Sequence, residues 1–184
     1  MFKNIKEVNL NFNGCQSCPD TCCKDKLLIP LVLEDFEFVY ENFPIVFAYL
    51  NDKLRVFILL SNDGKGCRYL GEKGCGIYEK RPPSCKIYPL SPFFEEFYVD
   101  TSCEAVGENG EFLCSNKGFN QKFYHSRLEN FKDKYTKTEK FLFSIDNNIK
   151  KIGNIKEIGI YKYSGEVESE YIKMHNSSLK YLVN

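Results

Sequence analysis

The sequence predicts an α+β fold, and three observations support this prediction. All nine cysteines lie between Cys15 and Cys114, in a region whose glycine and charge content favours ordered loops. Two runs of β-branched and aromatic residues flank a short polar turn, which is typical of a hairpin. After residue 119, apolar residues recur with a three-four spacing, which indicates helix. We therefore expect a small, irregular cysteine-bound domain over residues 1–115 with a short antiparallel hairpin, and a mainly helical C-terminal extension over 116–184 packed on it.

The first regular elements follow the N-terminal cysteines. Residues 27–33 form a short apolar run, and Pro30 within it predicts an edge or irregular strand, because proline cannot donate to a β-ladder. Residues 34–40 favour a helix with acidic residues in its first turn, where they suit the helix dipole. The predicted hairpin consists of Ile45–Leu50, a turn at residues 51–53, and residues 54–60.

The remaining elements are predicted from weaker patterns. Residues 61–85 are rich in glycine, charge and cysteine, so we expect loops that something other than a core holds in place. Residues 93–99 suggest one strand, and a last helix is expected within residues 167–182. Gly153 and Gly159 interrupt the region between, and Thr138 interrupts the helical pattern before them. That pattern comprises Leu128, Phe131, Tyr135, Leu142, Ile145 and Ile149.

Composition predicts a cytoplasmic location. No run of about 18 apolar residues could span a membrane, and the N-terminus lacks the apolar stretch of a secretory signal. Net charge is zero, but residues 1–114 hold 12 Lys and Arg against 17 Asp and Glu, whereas residues 115–184 hold 13 against 8. Thiolates would make the first region more negative still, and a bound cation would offset that charge.

Cysteine usage indicates metal or redox chemistry. Nine cysteines in 184 residues would suggest disulfides in a secreted protein, but disulfides do not persist in a reducing cytosol. The odd number also fits poorly with complete pairing. Disulfides in place of metal are therefore the alternative that the sequence disfavours.

The first cysteine group comprises Cys15, Cys18, Cys22 and Cys23. Two cysteines separated by two residues bring both sulfurs to one metal ion, since metal–sulfur bonds are about 2.3 Å long. Cys22 adds a third thiolate. Because adjacent residues point in different directions, one of Cys22 and Cys23 could bind while the other reaches a second metal ion, bridges, or packs as a small apolar residue.

The second cysteine group comprises Cys67, Cys75, Cys85 and Cys103. Together the two groups could form two four-thiolate sites or one shared cluster. Arg81, two prolines and Ser84 precede Cys85, a sequence that favours a helix start with Ser84 as its cap. The helix N-terminus and the charge of Arg81 would stabilise a thiolate there. Arg81 and Tyr78 could hydrogen-bond the bound sulfurs, or they could simply pack within the loop.

These motifs resemble those of the YkgJ-type cysteine-cluster proteins, which are zinc- or iron-chelating domains. The resemblance covers about residues 12–110. Three residues separate Cys18 from Cys22, one more than in the usual family pattern. The motifs that carry the resemblance are the first cysteine group, the Cys-x-Ile-Tyr-Glu-x-Arg-Pro-x-x-Cys element ending at Cys85, Tyr88-Pro89, and Val99-Asp100 before Cys103.

The resemblance implies a zinc ion, an iron ion or an iron–sulfur cluster held by thiolates. It also extends to the cysteine-rich part of flagellin lysine-N-methylases, enzymes that act on protein lysines. Two function classes remain open: a metal-binding module without chemistry, and an enzyme that uses iron–sulfur redox chemistry or transfers a methyl group to a protein. We favour the first class, because the sequence contains no acid–base pair, triad or glycine-rich cofactor loop that would identify catalytic residues.

Residues outside the two groups are expected to be structural. We expect Cys114 to be a buried or free thiol, and His125 and His175 to be ordinary polar residues rather than ligands. The lysines between Lys132 and Lys156 suggest a solvated helix face more than a surface for nucleic acid or an acidic partner. The expected partner is thus a metal ion or cluster, with a protein partner as an open alternative and neither a membrane nor nucleic acid.

Overall fold

The computed structural model describes residues 1–15, 22–61, 63–72, 74–93, 95–166 and 169–182, and within them it is an α+β protein. Its helices are α1 (Phe36–Val39), α2 (Pro83–Ile87), α3 (Phe131–Ile145) and α4 (Glu170–Ser178). Its strands are β1 (Phe2–Asn4), β2 (Leu10–Phe12), β3 (Leu28–Pro30), β4 (Ile45–Leu50), β5 (Lys53–Leu59), β6 (Leu70–Gly71), β7 (Gly74–Cys75), β8 (Leu90–Phe93), β9 (Glu96–Asp100), β10 (Val106–Gly107), β11 (Glu111–Ser115), β12 (Gly118–Phe119), β13 (Ile149–Ile155) and β14 (Ile158–Tyr163).

The chain divides into two compact units, each built from two segments. Unit 1 comprises Met1–Cys22 and Tyr69–Lys132, and unit 2 comprises Cys23–Arg68 and Asp133–Asn184. The chain therefore passes from unit 1 to unit 2 between the adjacent Cys22 and Cys23, and it returns shortly after Cys67.

Unit 1 is built from small antiparallel sheets with the strand orders β1-β9-β8, β10-β2-β11-β12 and β6-β7. Its core contains apolar side chains from several of these strands, including Phe12, Leu90, Val99 and Leu113. The single strand expected over residues 93–99 is wrong. Phe93 ends β8 and Glu96 begins β9, and the two strands pair around a turn, because acidic Glu95 and Glu96 break the apolar run.

Unit 2 contains a sheet with the strand order β13-β14-β4-β5-β3. β4 and β5 pair around Asn51 and Asp52, whose positive φ angles suit a tight hairpin turn. β3 lies at the edge of the sheet, as Pro30 predicts. Side chains alternate along β4: Val46 and Ala48 join one buried cluster, while the Phe47 ring lies 4.7 Å from that of His175 in α4.

The C-terminal region contains strands as well as helices. The expected helix ends at Ile145, and Ile149 begins β13 instead, so the helical assignment of Ile149 is wrong. The β-branched residues of β13 favour a strand. Gly153 and Gly159 lie within the β13–β14 hairpin. The last helix is present as α4. Thr138 interrupts the apolar pattern of α3 because its buried Oγ1 accepts a hydrogen bond from the Leu33 amide at 3.0 Å.

Candidate metal centre

Cys15 and Cys103 lie on neighbouring chain segments of unit 1. β2 pairs with β10 so that Phe12 faces Val106. One residue further on, the Asn13 amide donates to the Ala105 carbonyl at 2.8 Å. Beyond this bond the chain turns, because the Val106 amide donates to the Cys103 carbonyl at 2.9 Å. Cys15 and Cys103 both pack against the core cluster of unit 1. The structure thus brings one cysteine of each sequence group into the same neighbourhood.

Asp100 fixes the turn that carries Cys103. Its side chain is buried, and its carboxylate accepts hydrogen bonds from the Ser102 amide at 3.1 Å and the Ser102 hydroxyl at 2.6 Å. The Cys103 amide donates to the Asp100 carbonyl at 3.2 Å. Sequence reasoning included Asp100 in a motif but gave it no role. The available signal was an Asp followed two residues later by Ser at a strand end, which is typical of an Asx turn.

Cys85 lies in the short helix α2. Pro83 occupies its first position, and the Cys85 amide donates to the Pro82 carbonyl at 2.9 Å. The prediction that Ser84 caps this helix is wrong, because Pro82 occupies the cap position and Ser84 lies inside the first turn. Cys75 lies on β7, where it pairs with Leu70 of the short β6–β7 hairpin.

Arg81 and Tyr78 contact each other just before α2. The Arg81 Nε donates to the Tyr78 carbonyl at 2.8 Å, and the guanidinium carbon lies 3.6 Å from the centre of the Tyr78 ring. This stack is a cation–π contact that also locks the loop. A role of either residue toward bound sulfurs stays a prediction.

Cys23 and Cys67 adjoin each other in unit 2. The Cys67 amide donates a hydrogen bond of 2.7 Å to the Cys23 carbonyl. Both residues are partly exposed. A second pair of candidate ligands, again with one member from each sequence group, is therefore in contact through its backbone.

The remaining candidate ligands are only partly covered by the structure. Cys18 lies outside the described residues, and only the backbone of Cys22 is described. Among the Cys, His, Asp and Glu side chains that are described, no group of three or more is arranged to hold a metal ion. The complete ligand set, including Cys18 and Cys22, stays a prediction.

The residues expected to be structural have structural contacts. Cys114 on β11 is fully buried, and burial raises the pKa of its thiol, as expected of a core residue. The His125 Nδ1 accepts from the Arg127 amide at 3.0 Å. His175 is also buried; its Nδ1 lies 2.8 Å from the Ile45 carbonyl, and its Nε2 accepts from the Tyr163 amide at 3.1 Å. Burial lowers the pKa of His175 to about 4.

Exposure separates the candidate ligands from Cys114. The six candidate thiols whose side chains are described, those of Cys15, Cys23, Cys67, Cys75, Cys85 and Cys103, are all partly exposed. Cysteine is ordinarily among the most buried residues, and thiolates are preferred ligands for zinc and for iron–sulfur clusters. An α+β chain with such a donor set is a cysteine-cluster metal-binding protein.

Comparison with known families agrees with this class. The model of the CxxCxxCC family, described as a putative zinc- or iron-chelating domain, matches residues 14–141, and the chain belongs to this family. The metal is accordingly zinc or iron. Searches among curated proteins and among solved structures found no match. Within the described residues, no helix has both the length and the apolar character needed to cross a bilayer.

Proposed function

We propose that this protein is a cytoplasmic metal-binding module that holds zinc or iron through the thiolates of its two cysteine groups. The observation that carries the proposal is the exposure pattern: the six candidate thiols that the structure describes are partly exposed, whereas Cys114 is buried in the core. The proposed ligands are Cys15, Cys18, Cys22, Cys23, Cys67, Cys75, Cys85 and Cys103.

Two observations support this assignment. Cys15 and Cys103 both pack against the core cluster of unit 1, and the Cys67 amide donates to the Cys23 carbonyl in unit 2. Each observation involves one cysteine from each sequence group. A bound ion would supply folding free energy that the loops around the cysteines lack. An iron–sulfur cluster could occupy the same thiolates, and the test below distinguishes it.

The decisive experiment is metal and sulfide analysis of protein purified without oxygen. We expect stoichiometric zinc or iron in the parent protein, loss of metal in Cys103→Ser, and full retention in Cys114→Ser, the matched control. Brown protein with acid-labile sulfide would identify an iron–sulfur cluster, and an iron–sulfur-dependent or methylase-like enzyme would then become the alternative. Parent protein that contains neither metal would overturn the proposal.

A further inference from the structure

We propose that Gly66 is a positioning residue that sets Cys67 beside Cys23, so that both thiolates serve one metal ion. The inference rests on the metal-binding function proposed above. It concerns residues of unit 2 alone: Cys23, Lys24, Gly66 and Cys67.

Position 66 has no room for a side chain. A Cβ atom at position 66 would lie 2.9 Å from the Cys23 carbonyl oxygen and 3.0 Å from the Lys24 Cα. Real Cβ atoms do not approach backbone atoms this closely, and here the neighbouring atoms cannot rotate away. The φ angle of Gly66 is also +109°, in a region that side chains other than glycine rarely adopt. Position 66 therefore requires glycine for two separate reasons.

The close approach of Gly66 to Cys23 lets the next residue, Cys67, donate its amide hydrogen to the Cys23 carbonyl. This hydrogen bond of 2.7 Å joins the backbones of the two cysteines. Two thiolates of one tetrahedral zinc ion lie roughly 3.8 Å apart, because each zinc–sulfur bond is about 2.3 Å. Two cysteines joined by a backbone hydrogen bond can bring their sulfurs to such a separation.

Hydrogen bonds anchor the loop on both sides of Gly66. The Leu60 amide donates to the Leu27 carbonyl at 2.8 Å, and the Arg68 amide donates to the Leu60 carbonyl at 3.0 Å. The carboxylate of Asp63 accepts from the Lys65 amide at 3.0 Å and from the Ser61 hydroxyl at 2.9 Å. These bonds fix the entry to Gly66 and the exit from it, so an added methyl group would push Cys67 away from Cys23.

The experiment compares Gly66→Ala with Gly64→Ala. Gly64 also has a positive φ, +75°, but no atom lies within 4 Å of the place that a Cβ would take there, so this variant places a side chain at a positive φ without the clash. Each full-length protein is stripped of metal and titrated with Co²⁺, and sulfur-to-cobalt charge-transfer absorption reports thiolate ligation. We expect Gly64→Ala to bind like the parent, and Gly66→Ala to lose about 10–100-fold in affinity, the range typical of residues that orient ligands.

The outcomes separate this inference from the proposed function. Equal cobalt affinity and absorption in the two variants would overturn the role of Gly66, whereas a parent protein that binds no metal would overturn the proposed function itself. If circular dichroism shows that Gly66→Ala does not fold, the shared ion is tested instead with Cys23→Ser, Cys67→Ser and the double variant. If the two cysteines bind one ion, the double variant should lose hardly more bound cobalt than either single variant does. Additive losses of bound cobalt would refute the shared ion.

Discussion

The hydroxyl group of Tyr88 donates a hydrogen bond of 3.1 Å to the buried carboxylate of Asp100. Tyr88 directly follows the helix that carries Cys85, and Asp100 begins the turn that carries Cys103. One hydrogen bond thus ties together the two chain segments of unit 1 that present these candidate ligands.

Asp100→Ala should destabilise the metal-free protein by about 1–3 kcal/mol, because it leaves the hydrogen-bond donors around the buried carboxylate unsatisfied. Tyr88→Phe removes a single donor and should cost only about 1 kcal/mol. Urea unfolding followed by circular dichroism measures both. Asp100→Ala should also weaken metal binding, since the Cys103 turn loses its anchor. Two variants of equal stability would argue against this role of Asp100.

Stability should depend on pH through His175. Its folded-state pKa of about 4 lies below the ordinary value near 6.5, so the unfolded chain binds the proton more readily. The neutral ring therefore contributes stability above about pH 6.5, and about 3 kcal/mol of it is lost as the pH falls toward 4. Urea unfolding of metal-free parent and His175→Gln across this window should show a steeper slope for the parent.

Cys114→Ser should lower stability without lowering metal content. The substitution places a hydroxyl group in the fully buried position on β11, which costs about 1–3 kcal/mol when the group lacks a good partner. Cys75→Ser, at a partly exposed position, should show the reverse behaviour. Thermal unfolding of metal-free protein and metal analysis of loaded protein give the two readouts. Metal loss in Cys114→Ser with unchanged stability would contradict the core assignment.

Arg81→Ala should reduce metal content more than Arg81→Lys does. Lysine keeps the positive charge just before the helix that carries Cys85 but loses the flat stack on Tyr78 and the Nε hydrogen bond. Metal stoichiometry of the three proteins, purified side by side without oxygen, tests this order. If Arg81 only packs within its loop, both variants should bind metal like the parent.

Metal removal should loosen the cysteine-bearing loops selectively. We expect the Cys67 and Cys103 amides to exchange hydrogen at least about tenfold faster after chelation, because their turns depend on ligation. Amides in α3 and in the β4–β5 ladder should change little, since Leu142, Phe57 and their neighbours are buried in an apolar core. Uniform loss of protection across all these elements would refute the prediction.

The sequence predicts those elements whose signals are local. The β4–β5 hairpin follows from β-rich runs around Asn51 and Asp52, and the edge position of β3 follows from Pro30. The helical pattern predicts α3 but extends too far, to Ile149. The hairpin that begins there is recognisable only once β14 is seen to pair with β4, a contact between residues more than a hundred positions apart.

Residue type alone predicts the candidate ligands, but it does not predict which residues lie beside them. Clustered cysteines indicate a thiolate site from the sequence alone. The placement of Cys15 and Cys103 against one core cluster depends on the pairing of β2 with β10. The hydrogen bond between Cys67 and Cys23 depends on a close approach at Gly66. The Asx-turn signal predicts the local turn at Asp100, but the hydrogen bond from Tyr88 becomes visible only in the folded chain.

During synthesis, the N-terminal strands emerge long before the strands with which they pair. β1 pairs with β9, and β2 pairs with β10 and β11, nearly a hundred residues later. A ribosome adds about 5–20 residues per second, so roughly 4–18 s separate the appearance of Cys15 from that of Cys103. During this interval the early thiols have emerged without the strands that will hold them. We therefore expect metal capture only after residue 103 has left the exit tunnel, and ribosome-bound chains stalled before it should retain no tightly bound zinc or iron.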